Sequence, residues 1–94
     1  MHLQILFKKG KSEEIRYWEC KYEGDTFHTR YGLLKTRSKH KWQDHKRSNR
    51  YEEGHGAYRN SHEVAIEHAM SKWAEKKRND AMVENPLELG MSYN

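Results

Sequence analysis

The chain has little of what builds a large core. Leu, Ile, Val and Phe together supply thirteen of its 94 residues, a share below the roughly 20 per cent under which chains tend toward disorder. It has a single cysteine, Cys20, which excludes an internal disulfide and any cysteine-rich zinc site and fits a reducing compartment. No apolar run approaches the roughly 18 residues that cross a bilayer, and Met1 leads into alternating sequence rather than the unbroken apolar stretch of a signal peptide. These absences predict a soluble, cytoplasmic protein with no membrane partner. Aromatics make up the deficit: three Trp, six Tyr and two Phe are the side chains that bury the most area each. At this length they predict one small domain with a thin, aromatic-rich core.

The net charge of +4 is unevenly spread. Between Arg30 and Arg50 stand eight basic residues (Arg30, Lys35, Arg37, Lys39, Lys41, Lys46, Arg47 and Arg50) against one acid, Asp44. The rest of the chain carries ten basic and thirteen acidic side chains. A near-neutral body with one basic band is how a polyanion site looks in sequence. The bland alternative is a solvated face of charged strands and loop.

The patterning predicts an α+β domain. Leu3, Ile5 and Phe7 alternate with polar neighbours, as in a half-buried strand. Segments from about Glu14 to Tyr22 and from Thr26 to Gly32 flank Gly24-Asp25, a two-residue link with glycine where a type II′ turn needs it. With Glu23 facing Thr26, the register pairs Tyr22 with Phe27, Cys20 with Thr29, Trp18 with Tyr31 and Glu19 with Arg30. One face then gathers the aromatics, and the other shows Glu19, Lys21, His28 and Arg30. Ser38 to His45 is expected as a fourth strand, and Lys46 to Arg59 as a long loop. Asn60, with Glu63 three residues on, predicts a helix start. The helix should lay Ile66, Ala69, Met70 and Trp73 across the sheet. Pro86 forbids helix from about Asn85. The expected organisation is a domain over residues 1–84 and a tail over 85–94.

Tyr17-Trp18-Glu19, then Glu23-Gly24-Asp25, Thr29-Arg30-Tyr31-Gly32 and the lysine-rich stretch that follows, together with Arg47-Ser48-Asn49, Lys72-Trp73, Lys76-Lys77 and Val83-Glu84, resemble the WGR domain. The likeness spans roughly Leu6 to Glu84 and is to a phage and large-virus branch, some members of which are attached to nucleic-acid ligases. It implies a small antiparallel sheet of about four strands crossed by a helix, a nucleic-acid partner, and, for a phage protein, the host cytoplasm. In WGR domains of poly(ADP-ribose) polymerases the name-giving tryptophan and arginine contact a DNA end. Tyr31 and Leu33 stand in those places here, so the resemblance leaves a stacking role to Tyr31 and none of the arginine's.

The expected nucleic-acid-binding residues are therefore Arg30, Tyr31, Lys35, Arg37, Lys39, Lys41, Lys46, Arg47 and Arg50, with Lys39 and Lys41 on one strand face. Such cations follow phosphates and release counterions; they give affinity rather than sequence choice. Tyr51, Tyr58 and Trp42 are stacking candidates, although core burial is the favoured reading of Trp42. Arg30 could instead be spent in a surface ion pair with Glu19, worth about 0–1 kcal/mol. Seven histidines lack metal spacing: His40 and His45, and His62 and His68, fall on different faces, leaving only His55 in the loop free to reach others. Protonation would raise the charge below about pH 6.5. No glycine-rich phosphate loop, nucleophile elbow or nucleotidyl-transfer lysine is present, and Cys20 reads as a core residue. The sequence thus predicts a non-enzymatic, cofactor-free accessory protein that binds DNA ahead of RNA. The alternative is an interaction module that inhibits a host polymerase, nuclease or defence complex through an acidic surface on that partner.

Overall fold

The computed structural model describes residues 1–48, 50–52 and 57–90, with 50–52 and 57–59 as backbone. Its centre is the expected hairpin. Strands β2 (Ile15–Glu23) and β3 (Thr26–Leu33) pair in the anticipated register, Tyr22 with Phe27 through Trp18 with Tyr31. Gly24 takes the positive φ of 57° that opens this two-residue turn. Strand β1 (Leu6–Lys9) adds beside β2, and β4 (Gln43–Lys46) beside β3. The result is a four-stranded antiparallel sheet in the order β1-β2-β3-β4, crossed on one face by helix α1 (Ser61–Asn79). The fold is α+β.

The helix starts where the capping pattern places it: the Asn60 side chain accepts from the Glu63 backbone N–H at 2.9 Å. Its buried stripe meets the expected one only in part: Ala69 is buried and Trp73 packs against the core. Val64, Ala65 and Ala69 are buried, whereas Met70 is 55% exposed and Trp73 is half-buried, its indole N–H donating to the Gln4 carbonyl at 2.8 Å. The reason is volume. Trp18 and Phe27 already fill the sheet surface, so close packing admits only small residues opposite them, and Ile66, Met70 and Trp73 fall on the helix flank. After the helix, Ala81 adopts a left-handed φ of 53°, turning the chain so that Met82 enters the core with Leu6, Trp18, Cys20, Phe27 and Ala69. Val83 then exchanges two 2.8 Å backbone hydrogen bonds with Phe7, and Pro86 is buried in the 3₁₀ turn Pro86–Leu89.

Three further expectations are corrected. Regular pairing in the first strand begins at Leu6 rather than Leu3; Leu6 and Phe7, which point to opposite faces, are both buried, because both sides of β1 are covered. Ser38 to His45 is not one strand. A 3₁₀ segment (Leu34–Lys39) occupies its start and only Gln43–Lys46 pairs, since residues 34–42 are drawn over the sheet face opposite the helix. The stretch from Lys46 to Arg59 contains a hairpin rather than loop alone: β5 (Arg50–Glu52) pairs with β6 (Ala57–Arg59), Tyr51 opposite Tyr58.

Candidate nucleic-acid interface

The sheet face turned away from the helix was expected to be the open, cation-bearing surface, and the structure corrects this. Glu19 lies on that face, in the middle of β2, with its side chain fully buried. Arg30, across the ladder, donates through Nε to one of its oxygens. Arg37, brought in by the 3₁₀ segment, grips it in a fork of 3.0 and 2.8 Å. Burial opposes the charged form of Glu19, but the two guanidiniums outweigh it and hold the carboxyl below its ordinary range. Two of the expected phosphate contacts are thus committed to a buried carboxylate.

The same segment seals the neighbouring residues. Thr36 donates its hydroxyl to the Leu33 carbonyl, so His40 Nε2–H must donate to Thr36 Oγ1 at 3.1 Å, leaving Nδ1 to accept from the Tyr17 hydroxyl at 2.7 Å. The His40 ring sits where a Cβ on Gly32 would be, 2.6 Å from its Cε1, and Gly32 has a φ of +142°. A side chain at this position would therefore meet both a strained backbone and an occupied site. Trp42 is half-buried beneath cations: Lys21 Nζ lies 4.4 Å and the Arg30 guanidinium 4.6 Å from its ring centroid.

The other expected contacts divide among separate places. Lys35, Lys39 and Lys41 are exposed on the covering segment, with no ion pair among the described residues. Lys46 is exposed near the hairpin-turn end of the sheet, opposite Thr26. Arg47 lies on the helix side, its guanidinium 4.8 Å from the Phe27 ring centroid. Arg50 is on β5, and its side chain lies outside the described residues, as do the side chains of Tyr51 and Tyr58; His55 lies outside them entirely. The band from residue 30 to 50 is therefore not one continuous surface.

Tyr31 is 57% exposed on the helix side of the sheet, beside Lys76 and Asp80 at the end of α1. There it lines a cleft of about 570 Å³ with Lys8, Lys9, Lys11, Arg16 and Lys76, and the carboxylates at the site are Glu14 and Asp80. Lys8 stands directly opposite Arg16 in the ladder, a like-charge pairing that disfavours the sheet by itself. Lys9 lies 4.0 Å from Glu13, Glu14 3.4 Å from Arg16, and Asp80 2.9 Å from Lys76. The Lys76 hydrogen bond, with the Lys8 charge adding to it, holds the Asp80 carboxyl below its ordinary range. Lys8 and Lys11 have no ion pair among the described residues. Cations from β1, the following turn, β2 and the helix end thus surround one exposed ring.

Sequence reasoning missed Lys8, Lys9, Lys11, Arg16 and Lys76. The Lys8-Lys9-Gly10-Lys11 run was a legible signal; Lys76 came close only through helix packing. The cysteine is as expected: Cys20 is fully buried, and burial pushes its thiol up to about 11. The histidines mostly have structural partners, with His28 on Asp44 at 2.6 Å and His62 donating to the Gly24 carbonyl at 2.6 Å. Among the described residues, no three His, Cys, Asp or Glu side chains form a group that could hold a metal ion, and no helix is long and apolar enough to cross a membrane. No protein-family model matches the chain, nor does any curated protein or solved structure.

Proposed function

We propose that the chain is a small, phage-type WGR-like accessory protein that binds nucleic acid, DNA ahead of RNA, in the cleft around Tyr31. The observation that carries this reading is the gathering of five cations from β1, the following turn, β2 and the helix end around an exposed aromatic ring, two of them, Lys8 and Lys11, without an ion pair among the described residues, at the cost of a like-charge pair in the sheet. Local rules broken without structural gain are expected at functional sites. Lys8, Lys11, Arg16 and Lys76 would lie along phosphates and displace their counterions, while Tyr31 offers a face on which a base stacks at about 1–3 kcal/mol. The recognition is of backbone charge and base plane, not of sequence. Lys35, Lys39 and Lys41 lie on the opposite side of the sheet and would add only long-range attraction.

The test is a fluorescence-anisotropy titration against single-stranded, duplex and nicked DNA and single-stranded RNA at two salt concentrations. Affinity should fall log-linearly with salt, by close to 0.9 per phosphate contact for duplex, and Tyr31→Ala should weaken single-strand binding about tenfold or more. Binding that ignores salt, or that survives Tyr31→Ala and Lys8→Glu unchanged, rejects the cleft.

A further inference from the structure

Tyr31 stands apart from the other described aromatic side chains. Tyr17 bonds His40 at 2.7 Å, His45 stacks on Phe27, Lys21 and Arg30 cover Trp42, and the Trp73 indole donates to the Gln4 carbonyl. The Tyr31 ring is 57% exposed and, among the described residues, no side chain stacks on it or bonds its hydroxyl. Two elements line the cleft with it. One is the turn between β1 and β2, in which the Gly10 N–H donates to the Glu14 carbonyl at 2.7 Å and the Ser12 N–H to the Glu14 carboxylate at 3.0 Å. That carboxylate fills the place a Cβ on Gly10 would need, and Glu13 takes a left-handed φ of 63°. The turn that carries Lys11 is thus fixed in shape by its own hydrogen bonds. The other element is the end of α1, where Lys76 is held to Asp80. Trp18 and Met82, both buried, supply the apolar part of the lining.

We infer that the cleft selects single-stranded nucleic acid over duplex, with one unpaired base lying on Tyr31 and the flanking phosphates at Lys8 and Lys11; this rests on the cleft being a nucleic-acid site. Charge alone would not choose between the two forms. Lys9, Arg16 and Lys76 each have a carboxylate within 4.0 Å, whereas Lys8 and Lys11 have no ion pair among the described residues. Two free cations release about two counterions, against the roughly six to ten phosphate contacts of a strongly salt-dependent duplex binder. Phosphates by themselves therefore hold either form weakly. The ring supplies the rest, and it does so only for an unpaired base. Inside a duplex both faces of each base are covered by its neighbours, and extruding one toward Tyr31 offsets the stacking gained. A single strand offers its base faces without that cost. The size of the cleft agrees: about 570 Å³ lies within the roughly 300–1,000 Å³ of sites that hold a small organic ligand, the scale of a nucleotide rather than of a rod two strands wide.

The experiment titrates the full chain into three end-labelled DNA probes of about ten nucleotides: a thymidine strand, an abasic strand with the same phosphates and no bases, and a duplex. The thymidine strand should bind about tenfold more tightly than either of the others. Tyr31→Ala should bring it down to the abasic level and Tyr31→Phe should leave it unchanged, while neither variant alters the abasic strand or the duplex. Because the abasic probe removes the base and not the ring, the outcome does not depend on how well Tyr31→Ala folds. The salt slope for the thymidine strand should be about −1.4, from roughly 0.7 for each of two phosphates, and should approach zero in Lys8→Gln with Lys11→Gln. Equal affinity for thymidine strand and duplex, both weakened by Lys8→Gln with Lys11→Gln, would overturn the single-strand inference and leave the nucleic-acid reading standing. Equal affinity for the thymidine and abasic strands would overturn it as well, since the ring would then hold no base. Absence of binding to all three probes would overturn both.

Discussion

Two basic clusters flank the same hairpin and meet opposite fates. Arg30 and Arg37 converge on Glu19 under the covering segment, where both guanidiniums are hydrogen-bonded to its carboxylate. Lys8, Arg16 and Lys76 converge around Tyr31 at the end of the helix, where five cations stand against the three carboxylates of Glu13, Glu14 and Asp80. The difference lies in what the sheet offers beneath each cluster. A carboxylate in the middle of β2 must be paired once it is covered, so it captures the nearest arginines and makes them structural. Around Tyr31 the ring stays exposed, and Lys8 and Lys11 are left without an ion pair among the described residues.

The comparison breaks first at Glu19. Glu19→Gln leaves two partly buried guanidiniums without their counter-charge and should cost about 3 kcal/mol, the low end of the range for a buried pair because the Arg37 side chain is 37% exposed; urea denaturation reads it. A loss below 1 kcal/mol would mean that the network is an ordinary surface pair. The matching substitution in the other cluster should do the reverse. Lys8→Glu with Lys11→Glu should reduce the salt slope of duplex binding by about 2, while stability changes little or rises by a few tenths of a kcal/mol as Lys8→Glu relieves the repulsion with Arg16.

The pH dependence sharpens the same contrast. His45 stacks on Phe27 at 4.6 Å and bonds Thr29 at 2.9 Å; burial first, then Arg47, lowers its pKa. The unfolded chain, titrating near 6.5, therefore binds this proton more readily than the folded one. Stability from His45 is present above that value and is lost as pH falls through it, and Glu19 adds a second loss only at carboxylate pH. Melting temperatures at pH 7.5 and 5.5 should differ in the wild type and differ less in His45→Gln. The smallest effect is expected of Lys39→Glu with Lys41→Glu, across the sheet from the cleft: a drop in duplex affinity of a few-fold at low salt that vanishes near 0.15 M. A loss equal to that at Lys8 and Lys11 would return the interface to the covering segment.

Local chemistry made the hairpin legible down to its register, because Gly24 sets the turn and period-two alternation then assigns each side chain to a face. The Asn60 cap was legible for the same reason: its hydrogen bond joins residues three apart. The boundary between structural and available charge was not. Arg30 and Lys8 look alike in sequence, and their roles separate only when residues 34–42 fold over one face and Tyr31 stays exposed on the other. Side-chain type, turn chemistry and alternation were in the sequence alone, since each acts over a few residues. Tertiary structure decided which helix residues face the sheet, which arginines Glu19 claims and which lysines reach Tyr31, because burial and Coulomb energy depend on distances that only the packed chain defines.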